Sequence, residues 1–160
     1  MIHLYCGTGK GKTTAACGLR VLFVQFFKNG TSSEVKSLSL LNGVDTAFPS
    51  LYYGRFKTMT DNQRAEIRVS YNDFMRDIIR HSVGYDMIIL DEAVSAYRYD
   101  MIDHDALLDF LRREGQNREL VLTGREPAPE LVELADYVTE MRKIKHPFDR
   151  GIAARKGAEF

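Results

Sequence analysis

Residues 7–15 read GTGKGKTTA, directly after the apolar run Ile2–Tyr5 and directly before the helix-forming residues that continue to Leu19. No other stretch restricts the fold so tightly. A glycine-rich turn between a strand and a helix lets successive backbone N–H groups converge on anionic oxygens. The helix N-terminus behind it adds favourable positive potential. The usual phosphate-loop pattern is G-x-x-x-x-G-K-[ST] after a strand. Gly11-Lys12-Thr13 supplies its second half, while the first glycine position holds Cys6, followed by Gly7 and Gly9. The backbone amides of Gly7, Thr8, Gly9, Lys10, Gly11, Lys12, Thr13 and Thr14 are therefore expected to cradle phosphates. Lys12 is expected to neutralise their charge, and Thr13 to place its hydroxyl on Mg²⁺. The bland alternative is a glycine turn at a strand–helix junction, and the strand before it and GKTTAA after it argue against that.

A strand–loop–helix opening calls for more of the same. Short apolar runs alternate with amphipathic stretches along the chain, the pattern of an α/β protein with a mostly parallel sheet. Strands are expected at Ile2–Tyr5, Arg20–Phe26, Met87–Asp91, Leu120–Thr123 and Tyr137–Met141, with a weaker one at Thr46–Phe48. Helices are expected at Lys12–Leu19, Asp61–Ser82, His104–Arg113 and Pro129–Leu134. In the longest, Ile67, Tyr71, Phe74, Ile78 and Ile79 mark an apolar face. Pro129 and Asp103 are N-terminal signals. Residues 29–60, with Gly30, Ser32, Ser33, Asn42, Gly43, Pro49 and Gly54, read as a long functional loop or lid within one domain spanning 1–160. The first crossover is tight. About fifteen residues join the first two strands, which leaves a helix of roughly eight residues, ~12 Å long.

Two further motifs share the sheet's carboxyl edge. YDMIILDE, at 85–92, is an apolar strand ending in two carboxylates, Asp91 and Glu92, where a ligand crevice is expected. One acid of such a pair holds the magnesium shell and the other polarises a water or joins the metal. Carboxylates beside a polyphosphate repel it without a cation, so Mg²⁺ is part of the inference. LVLTGR, at 120–125, puts Arg125 just past a strand end, where its guanidinium could fork onto phosphate oxygens. Pairing with Glu126 or Glu133 is the alternative.

The rest of the chain narrows the function by subtraction. Its 160 residues carry equal numbers of acidic and basic side chains, which argues against a dedicated nucleic-acid or membrane-surface binder. Cys6 and Cys17 have no metal-site spacing and make no disulfide framework. No apolar run approaches the ~20 residues of a bilayer span, and the N-terminus lacks a signal peptide's order. A cytoplasmic protein is expected, with no nucleic-acid or membrane partner. His3, His81 and His104 suit core or helix-end roles, and His146 lacks an acid partner. Tyr52, Tyr53 and Phe56, in LYYGRFK, form an aromatic cluster that packs or offers a surface to a flat ligand. Tyr97 and Tyr99 read as core. No Ser-His-Asp or Cys-His nucleophile set is readable.

Taken together, GKGKTTAA at 9–16, VLFVQFFK at 21–28, DMIILDE at 86–92, LVLTGR at 120–125 and ADYVTEMRKIKHPFDRGIAARKGAEF at 135–160 resemble the corrinoid adenosyltransferases of the CobA type (ATP:cob(I)alamin adenosyltransferases). The resemblance covers nearly the whole chain. It implies a three-layer, mostly parallel P-loop NTPase fold of the RecA-like branch. It also implies transfer of the 5′-deoxyadenosyl group of ATP to the cobalt of a reduced, Co(I) corrinoid, forming adenosylcobalamin and releasing triphosphate. ATP and the corrinoid are then substrates, and Mg²⁺ the cofactor. A homodimer is implied, with a reductase partner supplying the electron. Under this resemblance Lys12 and Arg125 clamp the leaving group, Thr13 and Glu92 are metal-side ligands with Asp91 behind them, Lys10 adds charge, and Phe56 meets the corrinoid.

The chain departs from the family pattern in three places. Thr8 and Cys6 replace an asparagine and a threonine. The helix after the loop is shorter by about ten residues than such folds carry. Thr58 falls near the place of a tryptophan. Two other readings stay open at this stage. One is a phosphate-loop ATPase or kinase acting at the γ-phosphate, with Glu92 orienting the attacking group. The other is a nucleotide- or corrinoid-binding module without turnover.

Overall fold

The computed structural model describes residues 1–6, 20–145 and 150–151. Among the described residues six strands form one sheet: β1 (Ile2–Cys6), β2 (Val21–Gln25), β3 (Val44–Ala47), β4 (Met87–Asp91), β5 (Glu119–Thr123) and β6 (Tyr137–Glu140). Their order is β3-β2-β4-β5-β1-β6, and every neighbouring pair is parallel. Among the described residues the helices are α1 (Ser33–Leu38), α2 (Asp61–His81), α3 (Ala93–Arg98), α4 (His104–Glu114) and α5 (Pro129–Leu134), with a 3₁₀ turn at Phe56–Thr58.

Parallel strands are buried on both faces, which is why MIIL and LVL read as unbroken apolar runs. Successive side chains point to opposite faces. Leu22, Val24, Ile88, Leu90, Leu120 and Leu122 form one core with α2, α3, α4 and α5, which contribute Ile67, Tyr71, Ala96, Leu107, Phe110 and Leu131. Val21, Phe23, Ile89 and Val121 pack on the other face with Val35 of α1. Helices thus cover both faces, giving the expected three-layer α/β architecture.

Local chemistry starts the helices where the sequence marks them. Thr60 and Gln63 make a reciprocal capping box on α2, with Gln63 N to Thr60 Oγ1 at 3.3 Å and Thr60 N to Gln63 Oε1 at 2.9 Å. Asp103 accepts from Ala106 N at 2.8 Å, and Pro129 opens α5. On α2 the fully buried face is Ile67, Tyr71, Met75 and Ile78, with Phe74 and Ile79 at its margin.

Residues 29–60, expected as a long loop or lid holding one weak strand, contain α1 as well as β3. Both are short, and β3 is an edge strand displaced from the expected Thr46–Phe48. SEVKSL and VDTA carry too few apolar residues for a period to show. Their order comes from Val35 packing under the sheet and from pairing of β3 with β2. Helix α3 was also not expected: AVSAYR is under two turns, too short for periodicity. The expected helix Lys12–Leu19 lies outside the described residues.

Candidate active site

All strands being parallel, their carboxyl ends share one edge, and a polar row crosses it. Gln25 of β2 pairs in register with Asp91 of β4. Thr123 follows the Leu90–Leu122 pair on β5 and is itself in register with Tyr5 of β1. Gly7 lies two residues beyond Tyr5, so the phosphate-loop sequence starts where this row ends.

By the alternation of strand side chains, Gln25, Asp91 and Thr123 fall on the face of Phe23, Ile89 and Val121. There they bond to one another. The Gln25 amide donates from Nε2 to Asp91 Oδ2 at 2.8 Å. The Thr123 hydroxyl donates to Asp91 Oδ1 at 2.6 Å and accepts from Glu92 N at 3.0 Å. Gln25 and Thr123 are buried, at 1% and 0% exposure, while Asp91 is half-buried. Asp91 takes part in no ion pair among the described residues; two neutral donors hold it instead. Gln25 Oε1, buried beside it, has no hydrogen-bond partner among the described residues.

Glu92 sits at φ 60°, in the left-handed region, and turns the chain from β4 into α3. Strained backbone of this kind concentrates at functional sites. Its Oε2 accepts from Ser95 Oγ at 2.7 Å. Gly124, at φ 150°, has room for no side chain: a Cβ there would lie 2.6 Å from Val94 Cβ and 3.0 Å from Ser95 N. This close approach delivers Arg125 to the edge. Arg125 is exposed and enters no ion pair or hydrogen bond among the described residues. The alternative pairing with Glu126 does not form, since Glu126 bonds Arg98 at 2.7 Å.

Of the sequence-predicted residues, Asp91, Glu92 and Arg125 are therefore brought to the same edge. Phe56 makes its contacts elsewhere. It stacks on Tyr99 with ring centroids 4.0 Å apart, and the Arg64 guanidinium lies 4.8 Å from its centroid. Tyr99 also meets Phe27 edge-on at 6.2 Å, and Phe27 N donates to Tyr71 Oη at 2.8 Å. Burial pushes the Tyr71 hydroxyl up to about 12. Tyr97 is core, as expected; burial first, then its bond to Glu130 at 2.7 Å, holds its hydroxyl well above the ordinary tyrosine range. His104 stacks on Tyr97 at 3.8 Å and His3 bonds Glu119 at 2.8 Å, both structural roles. Gly7, Thr8, Gly9, Lys10, Gly11, Lys12, Thr13, Thr14 and His146 lie outside the described residues.

The sequence alone does not mark Gln25, Thr123, Ser95 or Gly124 as belonging to this edge. For Gln25 and Thr123 the available signal was a polar residue closing an otherwise apolar strand.

Over residues 1–160 the chain matches the family model described as ATP:corrinoid adenosyltransferase BtuR/CobO/CobP. A corrinoid adenosyltransferase of a Sinorhizobium species is 35% identical to it over 173 residues, covering the whole chain and 80% of that protein. The corrinoid adenosyltransferase of Escherichia coli is 28% identical over 169 residues, and that of Salmonella typhimurium, CobA, 29% over 171 residues; each match covers the whole chain and 85% of the relative. The chain belongs to this family. It is a transferase, and adenosylation of a corrinoid is the family's reaction.

The donors at the carboxyl edge suit a hard cation. Asp91, Glu92 and Gln25 Oε1 offer only oxygen, the ligand type that Mg²⁺ takes. Among the described residues there is no cluster of three or more His, Cys, Asp or Glu side chains. An all-protein cage is therefore not built from them. A cation held by one or two carboxylates, retaining waters and sharing a polyphosphate, fits what is present. Among the described residues no helix is long and apolar enough to cross a membrane.

Proposed function

We propose that the chain transfers the 5′-deoxyadenosyl group of ATP to the Co(I) centre of a corrinoid and releases inorganic triphosphate. The observation that carries this reading is the row Gln25–Asp91–Thr123, flanked by Glu92 and Arg125 and ending in register with β1 just before Gly7. In a chain of this family, that row is the wall against which a triphosphate would lie.

The chemistry asks little covalent work of the protein. Co(I) supplies an electron pair, the cobalt–C5′ bond forms, and the C5′–O bond breaks. Both electrons of the broken bond leave with the triphosphate, and the cobalt ends formally as Co(III). No side-chain nucleophile is required, and the one hydroxyl in the row is already committed: Thr123 donates to Asp91 and accepts from Glu92. What remains is to align C5′ with cobalt and to stabilise charge on the leaving group. The amides of Gly7–Thr14, with Lys12 and Arg125, form that clamp. Arg125, uncommitted among the described residues, has its five donors available for phosphate oxygens. Glu92 and Thr13 hold the divalent cation, with Asp91 beside them. When bound, Mg²⁺ supplies positive charge at the polyphosphate.

Phe56 belongs to the corrinoid side of this proposal. Tyr99 at 4.0 Å covers one face of its ring, leaving the other to Arg64. Phe56 therefore leaves this stack to meet a corrinoid. Of residues 29–60, the stretch after β3, which carries the aromatic segment, acts as the lid. A homodimer and a reductase that delivers the electron complete the reading.

The test is an anaerobic incubation with ATP, Mg²⁺ and chemically reduced cobalamin, following corrinoid absorbance and phosphate products together. The expected result is a light-sensitive alkylcorrinoid with stoichiometric triphosphate. ADP and phosphate without a cobalt–carbon bond would overturn the proposal in favour of hydrolysis at the γ-phosphate.

A further inference from the structure

The least explained atom at the carboxyl edge is Gln25 Oε1. Its residue closes β2 after four buried apolar side chains and is itself buried. The amide's orientation is dictated by its neighbour. A carboxylate is an acceptor only, so Nε2 must face Asp91 Oδ2, at 2.8 Å, and Oε1 must face away from it. Oε1 then has no partner among the described residues. Packing alone does not account for a glutamine here. A buried acceptor left without a donor is costly, and an apolar side chain of the same length would fill the space without that cost. Asp91 repeats the pattern, with one neutral donor on each oxygen and no cation beside it among the described residues. The two side chains together hold more acceptor capacity than the row satisfies.

We propose that Gln25 is a positioning residue for the divalent cation of the site, orienting Asp91 through Nε2 and offering Oε1 to a water in the cation's shell. This rests on the proposed function, in which the acid pair lies on the metal side of a bound triphosphate. Groups that orient a metal's carboxylates and waters govern affinity almost as strongly as direct ligands, with losses of about 10–100-fold on mutation.

The test is Mn²⁺ binding followed by electron paramagnetic resonance, with ATP present and no corrinoid. Wild-type protein is expected to bind Mn²⁺ with ATP. Gln25→Met keeps the length of the side chain and removes both amide atoms. It should bind Mn²⁺ at least about tenfold more weakly, with a thermal midpoint close to wild type because the orphaned acceptor goes with the donor. A folded Gln25→Met protein with wild-type Mn²⁺ affinity would overturn the inference and leave the proposed function intact. Wild-type protein that binds ATP but no Mn²⁺ would instead overturn the metal-side assignment of the acid pair, and this inference with it.

A second measurement needs no variant. The chain has three glutamines, Gln25, Gln63 and Gln116, so selective ¹⁵N labelling gives three side-chain amide signals. The Gln25 amide signal should shift on adding ATP with Mg²⁺ and not with ATP alone. An amide signal indifferent to the cation would refute the contact even if Gln25→Met fails to fold.

Discussion

Thr123→Val is the substitution whose consequence is most directly calculable. The threonine is fully buried, and its hydroxyl makes two bonds: it donates to Asp91 Oδ1 at 2.6 Å and accepts from Glu92 N at 3.0 Å. Valine has nearly the same shape and neither capability. A hydrogen bond to a charged acceptor contributes about 1.5–3 kcal/mol, and a partly buried N–H left unpaired costs about 1–3 kcal/mol. The added methyl returns about 1 kcal/mol of apolar burial. The net loss is about 2–4 kcal/mol, which for a domain of this size lowers Tm by roughly 5–15 °C. Thr123→Ser is the control, since it keeps both bonds and loses one methyl, about 1 kcal/mol. Urea denaturation of the two variants, compared at equal m-value, isolates the hydroxyl. The valine variant should be the less stable by about 2 kcal/mol. If it proved as stable as the serine variant, the bonds that tie β4 to β5 at this edge would contribute nothing, and the account of how Glu92 is held would fail.

Gly124→Ala should destabilise by about 1–3 kcal/mol, because its Cβ collides with Val94 and the backbone is strained; thermal unfolding checks this, and no loss would mean that α3 and β5 are not in close contact. Tyr71 gives an alkaline signature. Its hydroxyl is held up near 12 by burial, so the stability it contributes is complete below pH 10 and is lost as pH rises through about 12. Two pKa steps correspond to about 3 kcal/mol. The stability read by chemical denaturation between pH 9 and 12 should therefore fall less steeply for Tyr71→Phe than for wild type, with Tyr97, Tyr85 and Tyr53, whose hydroxyls are also held up, contributing to the remaining slope. For the proposed leaving-group clamp, Lys12→Ala should raise the barrier to adenosyl transfer by about 2–4 kcal/mol. Single-turnover kinetics with preformed Co(I) corrinoid measure it, and near-normal turnover would remove Lys12 from the clamp.

Much of the architecture was legible wherever a long apolar signal met a local capping signal. Asp61, His104 and Pro129 open helices as expected, and the five principal strands fall where their apolar runs do. The place of Asp91, Glu92 and Arg125 at the carboxyl edge was legible, because each directly ends or follows a buried apolar strand. Gln25 was not, since one polar residue ending a strand is ordinary until its neighbour across the sheet is known. Nor were α1, α3 and β3 legible at their true extents. Each is four to six residues long, and none carries a full period of its own.

By itself, then, the sequence determined the principal elements, their parallel arrangement and the family, and marked candidate site residues, because each of these depends on motifs of residues close together in the chain. Only the tertiary structure decided which strand lies beside which. That order, β2-β4-β5-β1, aligns Gln25, Asp91, Thr123 and Tyr5 from four separate segments. It gives the Thr123 hydroxyl one acceptor and one donor as partners and leaves the side-chain oxygen of Gln25 with none among the described residues. Which polar groups are satisfied depends on contacts between residues far apart in sequence, and those exist only once the sheet has formed.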